Sequence, residues 1–343
     1  MSSHPITYRP FAGESDYPKM LAVIEASKDI DGTERADTLA DIARNYAHLH
    51  NCDPAQDMLF AEAGGQVVGY GRAWWDLEKA TPADSAETSA WIGFHIGFVH
   101  PTWRRKGIGT HILRHLRSRL SEIAAAQIAT GTLLPTTPCL CSAFTSQTEK
   151  AQIGLLEKEG YVAVRHAFDM VRPDLENIPD LPLPDGLNVR APAPDEIKKV
   201  WDASNEAFRD HWGFIPEPEE ERLNWMQSPE YDPTLWRVAW DGDRVAGMVL
   251  SFINQAENEA YHRKRGYTEN ICVLRPYRAK GLAKALIALS LRALKERGMD
   301  HAALGVDAEN LSGALQLYKR MGYQVIKQST IYRKPVEAAG YPR

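Results

Sequence analysis

Val273-Leu274-Arg275-Pro276-Tyr277-Arg278-Ala279-Lys280-Gly281-Leu282-Ala283 decides how this chain is read, because Val99-His100-Pro101-Thr102-Trp103-Arg104-Arg105-Lys106-Gly107-Ile108-Gly109 repeats it. Each stretch ends an apolar run, turns through a basic loop containing glycine, and opens a pattern of apolar residues at helical spacing. The second helix is expected over 281–297. Leu282, Ala285, Leu286, Leu289, Leu291, Ala293 and Leu294 form its apolar positions, Lys284, Arg292, Lys295 and Glu296 its polar ones, and Gly298 stops it.

Outward from this loop the self-similarity continues, at a separation of about 175 to 180 residues. Residues 6–10 are echoed by 187–191, and 59–69 by 236–247, each of the latter pair reading as a strand, a tight glycine turn and a second strand. Residues 155–161 are echoed by 317–323, a helix end followed by glycine and a new strand. Between the copies, residues 172–186 carry Pro173, Pro179, Pro182 and Pro184 among acids, the composition of a semi-rigid linker. The expected division is 1–178 and 179–343, and the fold class is α/β, two mixed β-sheet domains flanked by helices. Residues 129–138 read as a surface loop inserted in the first copy.

Length supports two cores: 343 residues exceed what one ordinary domain holds. Hydrophobic content of 44% and charged content of 25% fit a soluble globular protein, and no apolar run reaches the ~20 residues of a membrane span. A secretion signal is not visible, so the expected compartment is the cytoplasm. The net charge of −5, with cations interspersed among acids, argues against nucleic acid and gives no reason to expect a membrane partner. Cys52, Cys139, Cys141 and Cys272 form no metal-binding spacing, so free thiols and no metal are expected.

A glycine loop between strand and helix suits an anion. The NH groups of the first helical turn are unpaired, the helix dipole favours negative charge there, and missing or small side chains at Gly281 and Ala283 allow close approach. Arg278 and Lys280 would add charge. The pattern is neither a Walker loop nor a Rossmann fingerprint, which removes motif support for kinases and dehydrogenases.

Arg278-Ala279-Lys280-Gly281-Leu282-Ala283 and Arg104-Arg105-Lys106-Gly107-Ile108-Gly109 resemble the RxxGxG/A signature of the GNAT N-acetyltransferase superfamily, and the resemblance runs through both halves. It implies an acyltransferase that binds the pyrophosphate of its cosubstrate acetyl-CoA at the loop. In the second copy it places the cosubstrate against Ile271, Cys272, Val273, Arg278, Ala279, Lys280, Gly281, Leu282, Ala283, Lys284 and Asn310. In the first copy the corresponding residues are Val99, Arg104, Arg105, Lys106, Gly107, Ile108, Gly109 and Thr110. Residues 306–323, which include Asn310-Leu311-Ser312-Gly313 and end Tyr318-Lys319-Arg320-Met321-Gly322-Tyr323, resemble the superfamily's closing pattern.

Acetyl transfer needs a neutral amine, a stabilised oxyanion and a proton for the departing thiolate. The resemblance implies that Tyr318 donates that proton, that Asn310 orients the cofactor arm and that Glu269 removes the amine proton. Read from the residues alone, Tyr318 as a core aromatic, Asn310 as a helix N-cap and Glu269 as a strand-end charge stay open. The first copy has Thr148, Leu156 and His95 at the corresponding places, and leucine cannot donate a proton. That copy is expected to be degenerate in catalysis while keeping its phosphate loop.

Strict alternation along the strand before the loop would put Glu269, Ile271 and Val273 on one face and Asn270 and Cys272 on the other. Cys272 is then a buried strand cysteine rather than an acetyl carrier, and transfer is direct, in a ternary complex. His211, Trp212 and Phe214 border the acceptor cleft of the superfamily and are candidates for a small-molecule pocket. The acidic run 217–221 reads as a solvated helix start or a lure for a cationic amine. The expected acceptor is a primary amine of a small molecule; a non-catalytic acyl-CoA sensor and a protein acetyltransferase are the alternatives. Pairing a degenerate copy with a complete one is similar to the architecture of mycothiol synthases and does not identify the acceptor. Monomer and homodimer remain equally open.

Overall fold

The computed structural model describes residues 5–80, 89–310 and 313–336; Leu311 and Ser312 of the closing pattern lie outside the described residues. The first copy runs β1 (Ile6–Arg9), α1 (Tyr17–Asp31), α2 (Leu39–Ala47), α3 (Pro54–Asp57), β2 (Met58–Ala63), β3 (Gln66–Glu78), β4 (Ala90–Val99), α4 (Ile108–Ala129), β5 (Cys139–Ser146), α5 (Lys150–Lys158) and β6 (Val162–Arg172). The second runs β7 (Asn188–Arg190), α6 (Ile197–Phe208), α7 (Glu219–Met226), β8 (Arg237–Asp241), β9 (Arg244–Phe252), α8 (Gln255–Ala260), β10 (Arg265–Val273), α9 (Leu282–Glu296), β11 (His301–Asp307), α10 (Ala314–Arg320) and β12 (Gln324–Pro335). Both expected hairpins form, β2–β3 and β8–β9, and α9 lies within the span that periodicity gave.

One sheet of twelve strands, in the order β1-β2-β3-β4-β5-β12-β6-β11-β10-β9-β8-β7, carries the whole molecule. The repeat does not announce its central feature: the last strand of each copy lies in the other copy's half. β12 pairs with β5 from Ser329 opposite Ser146 to Pro335 opposite Leu140, and β6 pairs with β11 from Ala302 opposite Arg172 to Asp307 opposite Ala167. β12 and β6 pair antiparallel at the centre. Each half therefore depends on a strand from the other for its backbone partners.

Helices cover both faces of each half, with α4 and α1 on opposite faces of the first and α9 and α6 on opposite faces of the second. α9 turns Leu282, Leu286, Ile287, Leu291 and Leu294 into the core, all at most 1% exposed. At ~1.5–3 kcal/mol per buried aliphatic side chain, this face outweighs any intrinsic helix preference. The proline-rich linker is not free: Leu175 is buried, Ile178, Leu181 and Leu183 pack on the second half's core, and the Arg172 guanidinium donates to the carbonyls of Asp174, Glu176 and Met321. All four cysteines are free thiols. Among the described residues no helix is long and apolar enough to cross a membrane.

Candidate active site

The two glycine loops share one backbone path. Gly281 has φ 86° and Gly107 φ 84°, and the preceding Ala279 and Arg105 both sit at φ 63°. A non-glycine residue in the left-handed region costs roughly 1–2 kcal/mol, and both copies bear it at the same place to turn the chain into the helix. Neither Gly281 nor Gly107 supplies a side-chain cap, so the first-turn NH groups of α9 and α4 are left for another acceptor. A Cβ at either glycine would meet nothing within 4 Å, so the approach is open.

Arg278 does not point its charge outward as the sequence suggested. Its guanidinium donates to the carbonyls of Val273 (2.9 Å) and Ala207 (3.2 Å) and to the Asp210 carboxylate (2.9 Å). Arg104 makes the same strut, to the Val99 carbonyl (3.0 Å) and in a bidentate pair with Asp31 (2.6 and 2.7 Å). Each arginine ties the loop to the end of its strand and to the first long helix of its copy. Lys280 and Lys106 lie exposed over the rings of Tyr277 and Trp103. Arg275 and Arg278 together hold the Asp210 carboxyl down to about 2.

Above each loop the sheet opens. β10 and β11 pair in parallel only over Arg265–Tyr267 and His301–Ala303, while β4 and β5 pair only from Trp91 to Phe94. Beyond those points the strands have no mutual pairing and a wedge separates them. In the first half the wedge is a cavity of about 300 Å³ that reaches from His95 and Val99 past Arg104 and Gly109 to Leu155 and Leu156. It exposes β4 backbone to a ligand whose anionic end would sit on the α4 N-terminus.

The strand carrying Glu269 departs from the alternation expected of it. Glu269 faces Leu250 and Cys272 faces Met248, so Asn270 and Ile271 together stand opposite Val249. This bulge is built on Asn270 at φ 48°. The extra residue inverts the faces beyond it: Cys272 packs with Met248 and Leu250 under α6, the side on which Glu269 stands, whereas Ile271 and Val273 pack toward α9. The expectation that Cys272 and Glu269 face apart is therefore corrected. The thiol, buried, is pushed up to about 12, which leaves no thiolate for acyl transfer at neutral pH. In the first half, by contrast, β3 and β4 stay in unbroken register from Glu78 opposite Ala90 to Gly69 opposite Val99.

Glu269 is the most perturbed acid at this opening. Its Oε1 accepts the Gly305 N–H at 2.9 Å, yet burial outweighs that bond and raises the carboxyl to about 7, with the Asp169 charge adding to the rise. Asp169 belongs to the exchanged strand β6 and stands opposite Gly305. A Cβ on Gly305 would approach Glu269 Oε1 to 3.9 Å, so both carboxylates occupy the face that this glycine leaves bare. Burial raises Asp169 as well. Sequence reading missed Asp169 and Gly305; the only signal for them is their position in the two strands.

Tyr318, 6% exposed on α10, lies close enough to Glu269 and Cys272 for their charges to act on it, and burial drives its hydroxyl pKa upward. It is a core aromatic and a neighbour of the buried acid at once. The helix-capping alternative for Asn310 is corrected, since Gly313 at φ 75° is the N-cap of α10. In the first half Leu156 replaces the tyrosine, and His95 is buried with its Nε2 2.7 Å from the Tyr161 hydroxyl. Burial lowers His95 to about 4, so it is neutral.

His211, Trp212 and Phe214 lie on the loop between α6 and α7. His211 meets the edge of Phe208 and feels the charge of Asp307 at the end of β11. Trp212 is flanked by the guanidiniums of Arg165 (5.2 Å) and Arg333 (4.4 Å), from the exchanged strands β6 and β12. The Phe214 carbonyl accepts the Lys79 N–H at 2.8 Å, pinning the loop to the first half. A larger groove, of about 990 Å³, opens between the halves, with Trp225, Phe252 and Tyr267 as aromatic walls. Six carboxylates (Glu34, Asp37, Asp41, Glu221, Glu230, Glu257) and two guanidiniums (Arg35, Arg44) line it. Tyr267 precedes Glu269 by two residues with no bulge between them, so the two side chains share one face of β10, Tyr267 in the groove wall and Glu269 one strand repeat beyond it.

Comparison with known proteins bears on the family and the fold. Residues 197–323 match the model of the acetyltransferase (GNAT) family, and residues 54–163 that of an acetyltransferase (GNAT) domain. Mycothiol acetyltransferases of Salinispora arenicola and Salinispora tropica are each 28% identical, over 315 and 311 residues; the alignments cover 89% and 88% of this chain and 88% of either relative. Among solved structures, a GCN5-related N-acetyltransferase from Sphaerobacter thermophilus superposes with a TM-score of 0.68 at 24% identity, covering 96% of both chains. A tandem GNAT protein from the clavulanic acid biosynthesis pathway gives 0.65 at 14% identity over 98% of this chain and all of its own. These two structures speak for the fold.

Proposed function

Because the chain is an N-acetyltransferase of the GNAT family with two tandem domains, we propose that its second half transfers acetyl from acetyl-CoA to the primary amine of a small, cationic, polar molecule seated in the groove between the halves. The observation that carries this reading is Glu269: a carboxyl raised to about 7, at the mouth of the splayed strands, next to a buried tyrosine. A base of that pKa accepts a proton near neutral pH without holding it too firmly.

The residues fit the cosubstrate. The uncapped N-terminus of α9 takes its pyrophosphate, the strut of Arg278 holds the loop in shape, and the backbone exposed by the bulge at Asn270 and Ile271 receives the acyl arm in the wedge. Acetyl-CoA supplies the activated acyl group. The amine nitrogen forms the new bond to the acyl carbon as the carbon–sulfur bond breaks; Glu269 receives the amine proton and Tyr318 gives one to the sulfur. The acidic lining of the groove draws a cationic amine, and the names of the 28%-identical relatives support a small thiol-containing acceptor as one member of that class.

The test is CoA release over a panel of amines: polyamines, aminoglycosides, amino acid amides and a cysteinyl aminosugar. A failure of all of them with acetyl-CoA bound would sink the reading. A second reading applies to the first half, which keeps the loop and wedge but has Leu156, neutral His95 and no bulge: it binds acyl-CoA without transferring it. Calorimetry with CoA distinguishes two sites per chain from one.

A further inference from the structure

On the face of the first half that α1 covers, a cavity of about 360 Å³ opens between β3, β4, α1 and α2, and it shares Ile96 and Phe98 with the lining of the wedge. That size lies within the range of small-molecule pockets. Its walls are aromatic and aliphatic, with Tyr46, Tyr70, Trp74 and Phe98 against Ile24 and Ile42. Into it projects Arg72, whose guanidinium carbon stands 5.2 Å from the ring centre of Tyr46 and 5.2 Å from that of Trp74.

Three carboxylates, Asp37, Asp76 and Glu221, and two guanidiniums, Arg35 and Arg72, stand in these walls, and they pair unequally. Arg35 is committed to Asp37 at 2.8 and 3.2 Å, and Asp76 accepts from Asn51 at 3.3 Å beside His50 at 3.5 Å. Arg72 has no such partner: its Nε is buried without a hydrogen bond, and no carboxylate among the described residues forms an ion pair with it. Arg72 is half-buried, with the Tyr46 hydroxyl as its hydrogen-bonding neighbour, and its guanidinium, flanked by two rings, stays available to a carboxylate that enters the cavity. The second half shows that the fold does not require it. Gly69 and Gly247 occupy the same place in their hairpins, which puts Arg72 where the second half has Leu250, 4% exposed in a closed core, and Trp74 where it has Phe252.

We propose that this cavity is a binding site for a monocarboxylate with a flat apolar body, its carboxylate paired with Arg72 and its body stacked among Tyr46, Trp74 and Phe98. A guanidinium fork matches a planar carboxylate in two parallel hydrogen bonds. Among the described residues Arg72 is the one guanidinium of these walls without an ion pair, and Asp37, Asp76 and Glu221 in the same walls repel a dianion more strongly than a monoanion, which favours a ligand of one negative charge. The site shares Arg35, Asp37, Asn45, Glu221 and Asn224 with the groove between the halves, so its occupant lies beside whatever fills that groove.

Sodium benzoate titrated into the full chain, followed by calorimetry and by tryptophan fluorescence, tests the proposal independently of acetyl transfer, since Arg72 takes no part in that chemistry. Benzoate is expected to saturate one site, with the neutral isostere benzamide and inorganic phosphate each at least roughly tenfold weaker, the cost of losing a charge-assisted pair or of crowding a dianion among acids. Arg72→Met should weaken benzoate by a similar factor and Arg72→Lys by less. Equal binding of benzamide, preference for phosphate, absence of saturable benzoate binding, or unchanged affinity in Arg72→Met would each overturn it. Should Arg72→Met fail to fold, as judged by its melting curve, the wild-type contrast between benzoate and benzamide still decides.

Discussion

Replacing Glu269 by glutamine separates two consequences of one buried carboxyl. The folded group titrates near 7 and the free side chain at 4.5. At about 1.4 kcal/mol per pH unit, the difference is a ceiling of about 3 kcal/mol that the folded state gives up once the group ionises. The sign follows from the direction of the shift. Below about pH 4.5 the carboxyl is protonated in both states and nothing is lost; stability then falls as pH rises and the loss is complete above about 7. Glu269→Gln keeps the shape without the charge, so it should match the wild type at pH 4 and exceed it at pH 8 by up to about 3 kcal/mol in urea unfolding. Activity should run the other way. Wild-type kcat/KM should rise through an inflection near pH 7, and the variant should lose both that limb and roughly a hundredfold to ten-thousandfold in rate. The limb that survives in Glu269→Gln belongs to the amine and can be divided out. A variant no more stable at pH 8 than at pH 4 relative to wild type, or one that keeps the inflection, would refute the argument that Glu269 is a buried base.

Three further outcomes follow from the same geometry. Asp169→Asn removes a like charge, so the inflection assigned to Glu269 should move to lower pH while the maximal rate changes little; an unmoved profile would separate the exchanged strand from the chemistry. Tyr318→Phe should lower kcat by roughly tenfold to ten-thousandfold with little change in acetyl-CoA affinity, most strongly with acceptors whose slow step is thiolate departure, and unaltered turnover would free Tyr318 from proton donation. Gly281→Ala and Gly107→Ala, at φ 86° and 84°, should each cost about 1 kcal/mol of stability. Only the first should raise the KM for acetyl-CoA, whereas an equal rise in both would place catalysis in the two halves alike.

The repeat, its loops and α9 were legible from sequence because each is set by neighbours along the chain. Glycine at positive φ, apolar residues at helical spacing and a stop at Gly298 act over a few residues. Tyr318 and Glu269 could be singled out by their place relative to the loop. The surroundings that give them chemistry could not. Counting by twos placed Cys272 away from Glu269, and a single extra residue at Asn270 brought it to the same side. Arg278, read as charge for a phosphate, is spent on Asp210, 68 residues away in the chain.

What the sequence determined by itself is a duplicated α/β module with two anion-ready helix starts and an acid–tyrosine pair in the second copy alone. What only tertiary structure decided is that β6 and β12 trade places, that Asp169 thereby stands opposite Gly305 beside Glu269, and that Arg72 lines a cavity without forming an ion pair among the described residues. The division has a physical cause. Helix and turn signals are written in local sterics, whereas strand pairing, bulges and the desolvation of a charge arise when segments far apart in the chain meet, and no residue carries that meeting in its own identity.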